Sequence, residues 1–170
     1  MAGVGARPLS VRLTSLVLAV TAAVVVVDQL AKRWALAALA DGPIPVLGPL
    51  RLNLTYNRAA AFGLGGNIVP LLAVMAAGIV VVAVARGAAE GRRGVAVSLG
   101  LLLGGALGNI VDRLVREPGL LRGAVVDFID VGFWPVFNLA DCAITLGCVA
   151  LVVLSGRPAR ATPLTGEERS

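Results

Sequence analysis

Four apolar blocks alternate with polar links along this chain of 170 residues, over 13–31, 68–85, 95–111 and 136–154. Each runs about 17 to 19 residues, close to the length a helix needs to cross a bilayer. The pattern predicts an all-α membrane protein with four transmembrane helices in a single domain over 1–155. The link 86–94 (RGAAEGRRG) reads as a tight turn, whereas 32–67 and 112–135 are long enough to fold. Leu50-Arg51-Leu52-Asn53-Leu54-Thr55-Tyr56 alternates apolar and polar, the period of a half-buried strand, and Val125–Val131 is a weaker second strand candidate. A small sheet built within 44–66 and 123–131 is therefore expected on the membrane surface. The tail 156–170, rich in Pro, Thr and charge, is expected to be disordered.

Composition sharpens this picture. At 58% hydrophobic residues the chain lies above the soluble average. The net charge of +5 comes from residues scattered between apolar blocks, with no basic patch interleaved with aromatics, so nucleic acid is not an expected partner. The chain contains no His, which excludes Ser-His-Asp and Cys-His catalysis and His-ligated zinc. Cys142 and Cys148 stand six apart in one apolar block and read as small core residues rather than a disulfide or metal pair. Among 15 basic residues only Lys32 is lysine, so that position either needs an ammonium or is lysine by chance. The first block imitates a secretory signal, with Ala38-Leu39-Ala40 as a cleavage site. Asp28, Gln29, Lys32 and Arg33 intervene, and an uncleaved helix is the expectation.

Basic residues are densest in the short link, at Arg86, Arg92 and Arg93, which assigns that link and both termini to the cytoplasm. The long links then face outward, with Trp34 and Trp134 at the outer boundary. In a four-helix serpentine, the ends of the first and third helices and the start of the fourth share one membrane face. Asp28 and Lys32 close the first helix, Asn109, Asp112 and Arg113 the third, and Asn138 and Asp141 open the fourth. Asn57 and Asp127 belong to the adjoining links. With the fourth helix starting near Pro135, Asp141 would lie about 9 Å along it from the surface.

Carboxylates inside membrane segments are costly, and function is the usual reason for them. If Asp127 and Asp141 come within hydrogen-bond range, both cannot ionise cheaply and the pair shares a proton. That state suits an aspartic peptidase, in which one carboxylate activates water and the other carboxyl donates to the oxyanion, with no metal or cofactor. Structural carboxylates capping helix ends, or pairing with Arg113 and Arg122, are the alternative. Asp28 and Lys32 read as a simple ion pair four residues apart. Asn109 and Asn138 either join helices or contact substrate. Gly100, Gly104, Gly105 and Gly108 read as sites of close helix packing.

Several blocks together resemble bacterial lipoprotein signal peptidase, also called signal peptidase II. These are Asp28-Gln-Leu-Ala-Lys32, Asn53-Leu-Thr-Tyr-Asn57 running into Ala60-Ala61-Phe62-Gly63, Gly104-Gly-Ala-Leu-Gly-Asn109-Ile-Val-Asp112-Arg113, Val126-Asp127-Phe128 and Phe137-Asn138-Leu-Ala-Asp141. The resemblance implies an inner-membrane aspartic endopeptidase that cuts prolipoproteins before the diacylglyceryl-modified cysteine. It implies Asp127 and Asp141 as the catalytic pair. Asn57, Asn109, Arg113 and Asn138 would bind substrate or support the pair, and Asp28, Lys32 and Asp112 would be structural. It further implies four helices with a small extracytoplasmic β-cradle, a monomer among membrane lipids, and inhibition by globomycin. Ala59 stands where the family usually has glycine, and Cys142 where serine is common. The competing classes are a small transporter or proton relay, and a magnesium-dependent phospholipid head-group transferase liganded by Asp112, Asp127 and Asp141.

Overall fold

The computed structural model describes residues 11–58, 93–117 and 123–155. In chain order these form α1 (Val11–Ala38), β1 (Ile44–Leu47), β2 (Leu50–Asn57), α2 (Arg93–Val115), β3 (Val125–Asp130) and α3 (Leu139–Ser155). The expected helix over 68–85, the link 86–94 up to Arg92, Ala59, Arg122 and the tail 156–170 lie outside the described residues. α1 and α2 are long and apolar enough to cross a membrane, and α3 is a shorter apolar helix.

α1 runs well past the expected end at residue 31. Its 28 residues extend about 42 Å at 1.5 Å per residue, more than the roughly 30 Å of a hydrocarbon core. Asp28 and Lys32 therefore do not close the helix; they sit inside it, fully buried, because their charges are neutralised by neighbours. α2 likewise extends beyond 95–111 at both ends.

The helices pack through small residues. A Cβ on Gly104 would sit 2.6 Å from Val24 Cβ, and on Gly108 2.7 Å from Asp28 Oδ2, so α1 and α2 touch along a seam that admits only glycine. At one end of the bundle, Val17 of α1 meets Val95, Ala96 and Leu99 of α2, with Leu151 and Leu154 of α3 against them. α1 and α2 therefore run parallel and α3 antiparallel to both. At the other end, Ala35 and Leu39 of α1 pack under Val126 and Phe128 of β3, with Leu52, Leu54 and Leu139 closing the cluster.

The sheet has order β1-β2-β3, antiparallel throughout. β1 and β2 are joined by the two-residue turn Gly48-Pro49, where Gly48 takes φ +54°. β2 and β3 pair Thr55 with Asp127 and Asn57 with Val125. After β3 the chain turns at Gly132 (φ +82°) and comes back so that Phe137 bridges Ile129. The N–H of Phe137 donates to the Ile129 carbonyl at 3.0 Å, and the N–H of Ile129 returns the bond at 2.8 Å. This last pairing fixes where α3 can start. Residues 136 and 137, expected to be helical, are not: Phe137 is held in extended pairing with Ile129, and α3 begins at Leu139. Asp141 consequently lies in the first turn of its helix, not about 9 Å into it.

Candidate active site

The start of α3 is closed by a reciprocal cap. Asn138 precedes the first helical residue, and its Oδ1 accepts from the N–H of Asp141 at 3.0 Å. The Asp141 carboxylate reaches back, its Oδ2 accepting from the N–H of Asn138 at 3.2 Å. Asn138 is completely buried, and both hydrogens of its amide are used: one goes to Asp127 Oδ1 at 2.6 Å, the other to Asn109 Oδ1 at 3.2 Å. One asparagine therefore touches both aspartates predicted from the sequence. The antiparallel return through Phe137 makes this possible, because it lays residue 138 alongside β3.

The two aspartates differ in surroundings. Asp127 is buried within β3, while Asp141 is half-buried at a helix N-terminus, where the peptide dipoles favour negative charge. Burial, reinforced by the nearby Asp141 charge, raises the Asp127 carboxyl to about 6 against the partly offsetting hydrogen bonds from Asn138 and Asn57. Asn57 thus reaches Asp127 from the end of β2. Arg113 is buried, donates to the Gly123 carbonyl at 3.5 Å and lies within electrostatic reach of Asp127 and Asp112.

Behind the pair lies a buried ion cluster. Lys32 Nζ meets three acceptors: Asp28 Oδ2 at 2.8 Å, Asp112 Oδ2 at 3.0 Å and Asn109 Oδ1 at 2.9 Å. Three acceptors match the three hydrogens of an ammonium, which gives a physical reason for the chain's single lysine. The ion pair expected between Asp28 and Lys32 is present, but each member does more than stiffen α1. Asp28 Oδ1 accepts from the N–H of Ala140 at 2.9 Å and so caps α3 across the interface. Asp112 accepts from the N–H of Val126 at 3.1 Å and from Arg116 Nε at 3.0 Å, tying α2 to β3.

Sequence reasoning passed over Gln29, Arg116 and Asp130. Gln29 donates to the Gly108 carbonyl and to Asp112; Arg116 stands four residues from Asp112, a spacing that could have flagged it. Asp130 accepts from Arg51 Nε at 2.7 Å, from Asn53 and from the N–H of Gly132, which pins the turn after β3. The Arg51 bond, with those of Gly132 and Asn53, holds its carboxyl below the usual range.

Asp141 opens onto a cavity of about 500 Å³ walled by Phe133, Trp134, Phe137 and Leu146, with Cys142 beside it. The walls are apolar, so the cavity offers one carboxylate to an apolar occupant. Neither cysteine is a core residue as expected: Cys142 is half-buried and Cys148 exposed, and both are free. Among the described residues, no group of three His, Cys, Asp or Glu is placed to hold a metal ion. Asp112 is engaged by Lys32, Arg116 and Val126 rather than turned toward Asp127 and Asp141.

The family described as signal peptidase (SPase) II, Peptidase_A8, matches residues 20–156. The chain belongs to this family. It is accordingly a peptidase and, with its apolar helices, a membrane protein. Relatives include the lipoprotein signal peptidase of Mycobacterium avium (strain 104), 44% identical over 142 residues that cover 82% of this chain and 78% of the relative. That of Rhodococcus jostii (strain RHA1) is 40% identical over 151 residues, covering 88% and 76%. The fold is shared with a bacterial membrane enzyme solved by the in meso method: TM-score 0.67, 23% identity, 91% of this chain and 99% of that one.

Proposed function

We propose that this peptidase removes signal peptides from prolipoproteins, cutting before the diacylglyceryl-modified cysteine, with Asp127 and Asp141 as the catalytic pair. The observation that carries the reading is the single buried Asn138 bonded to both aspartates beside an apolar cavity. The ionised Asp141 takes a proton from water as the water oxygen attacks the scissile carbonyl. The protonated Asp127 gives its proton to the carbonyl oxygen, forming a neutral gem-diol. Collapse of the diol returns a proton to Asp127, and the amine leaves with the proton held by Asp141. Asn57, Asn109, Asn138 and Arg113 orient the pair and the substrate backbone. The apolar cavity suits a lipidated, membrane-embedded substrate.

The site lies at the end of the bundle where α1 and α2 finish and α3 starts. With both termini cytoplasmic, this end is the outer face, Trp34 and Trp134 sit at the boundary, and the enzyme works as a monomer in the lipid of the inner membrane. The arrangement favours hydrolysis over transport, because Asp28, Lys32, Asp112, Asp127 and Asp141 gather at one end of the bundle and form no chain of charges across it. Purified protein in detergent, given a diacylglyceryl-modified prolipoprotein, is expected to cleave before the lipidated cysteine. Asp127→Asn or Asp141→Asn should abolish cleavage with the fold intact, EDTA should have no effect, and globomycin should inhibit. Normal turnover by either variant would refute the pair.

A further inference from the structure

The hydrogen bonds around Asn109 have a direction that its chemistry alone does not impose. A side-chain amide can turn over and exchange its donor and acceptor ends at little cost in shape. Here one end of the Asn109 amide faces Lys32 Nζ at 2.9 Å and the Asn138 NH2 at 3.2 Å, and the other faces Asp141 Oδ1 at 2.9 Å. Lys32 has three hydrogens and no lone pair, and its remaining two hydrogens are committed to Asp28 and Asp112. Only an oxygen can face it. The NH2 of Asn109 is then forced toward Asp141.

We propose that Lys32 is a positioning residue for the reaction: its donor-only ammonium locks the Asn109 amide with its NH2 toward Asp141 and thereby keeps Asp141 the ionised, water-activating member of the pair. The inference rests on the peptidase reading above. With Asn109 fixed, Asp141 meets one N–H on each oxygen, from Asn109 and from the Asn138 backbone, at the start of a helix. Asp127 also accepts from Asn138 and Asn57, so hydrogen bonds by themselves do not choose between the two. Burial of Asp127 and the helix terminus under Asp141 break the tie, and the proton stays on Asp127. Among the described residues, the charged groups facing the pair are Asp28 and Lys32 from α1 and Asp112 and Arg113 from α2. Asp28 and Asp112 are both bonded to Lys32.

Glutamine at position 32 tests this, because its amide can accept as well as donate and so leaves the Asn109 oxygen held by the Asn138 NH2 alone. Lys32→Gln should lower kcat on lipidated prolipoprotein by about 10- to 100-fold, the usual effect of losing an outer orienting partner, with KM nearly unchanged. Infrared spectra at mildly acid pH separate positioning from simple support of the fold. In the native background, the carboxylic-acid C=O band should vanish in Asp127→Asn and persist in Asp141→Asn. In the Asp28→Asn/Lys32→Gln background, where no buried Asp28 is left to take up a proton of its own, it should survive Asp127→Asn, because Asp141 facing an Asn109 oxygen must carry a proton.

Lys32→Gln also leaves Asp28 without its cation, so the double variant Asp28→Asn/Lys32→Gln serves as the control for folding. It should recover thermal stability in detergent without recovering kcat. Recovery of both together, or an unaltered infrared pattern in the double variant, overturns the proposal. If the native protein fails to cleave the lipidated substrate, the peptidase reading fails instead; if it cleaves and the Lys32 variants match it, only this inference is lost.

Discussion

At the scale of single residues, two aspartates in one site are made unequal by what surrounds them. Asp127 is 3% exposed, and removal from water is the main reason its carboxyl rises to about 6, with the Asp141 charge adding to it. The proposed mechanism needs Asp127 protonated, so kcat/KM, which reports the free enzyme, should fall as pH rises through about 6. A profile flat across that region would contradict the assignment. Stability follows the same group. Below about 3.8, Asp127 is protonated in folded and unfolded chains alike and contributes nothing. Between about 3.8 and 6 the unfolded chain ionises first, so the native state progressively loses up to about 3 kcal/mol relative to a neutral side chain. Asp127→Asn should therefore be more heat-stable than the native protein above pH 6, with the gap closing in acid, as thermal unfolding in detergent at several pH values would read. The pair of acids was legible in the sequence because carboxylates stand out against apolar neighbours. Their inequality was not, since it depends on burial and on a helix end that only the folded chain supplies.

At the scale of elements, α3 is started by a cap that belongs to the site. Asn138 satisfies the N–H of Asp141, bridges Asp127 and reaches Asn109. Asn138→Ala should cost about 1 to 2 kcal/mol as a lost cap and lower kcat by far more than that destabilisation explains, because the Asp127 carboxyl loses a donor and Asn109, which donates to Asp141, loses one of the donors that hold it. Retained kcat with lowered stability would reduce Asn138 to a cap alone. The α1–α2 seam makes a second demand. Gly108→Ala would place a methyl 2.7 Å from Asp28 Oδ2. That oxygen holds Lys32, so the variant should lose activity with little loss of helix content by circular dichroism. The periodicity of the apolar blocks located α1, α2 and α3, and strict alternation located β2. The ends were misjudged for one reason: polar residues in a membrane segment read as boundaries when they are unpaired. Asp28 and Lys32 are paired within the bundle and α1 runs on to Ala38, whereas Phe137 is apolar yet held out of α3 by pairing with Ile129.

At the scale of the whole molecule, two parallel helices and one antiparallel helix among the described residues bring Asn109, Asp112, Lys32 and Asp141 to one end of the bundle, under the sheet that carries Asp127. The orientation proposed above is open to direct labelling. Leu47 at the β1–β2 turn is 79% exposed. With Cys142 and Cys148 replaced by alanine, Leu47→Cys should react in intact cells with a membrane-impermeant maleimide; protection until the membrane is permeabilised would reverse the orientation. By itself the sequence determined that this is a membrane protein, that the segments of α1, α2 and α3 are helical, and which polar residues share one end, because hydrophobic period and the order of polar groups are properties of the chain in order. Only the tertiary structure decided that Asn138 joins the two aspartates, that Lys32 finds its third acceptor in Asn109, and that α3 begins at Leu139. Each of those depends on groups far apart in the chain meeting within hydrogen-bond distance, and spacing along a sequence carries no information about such meetings.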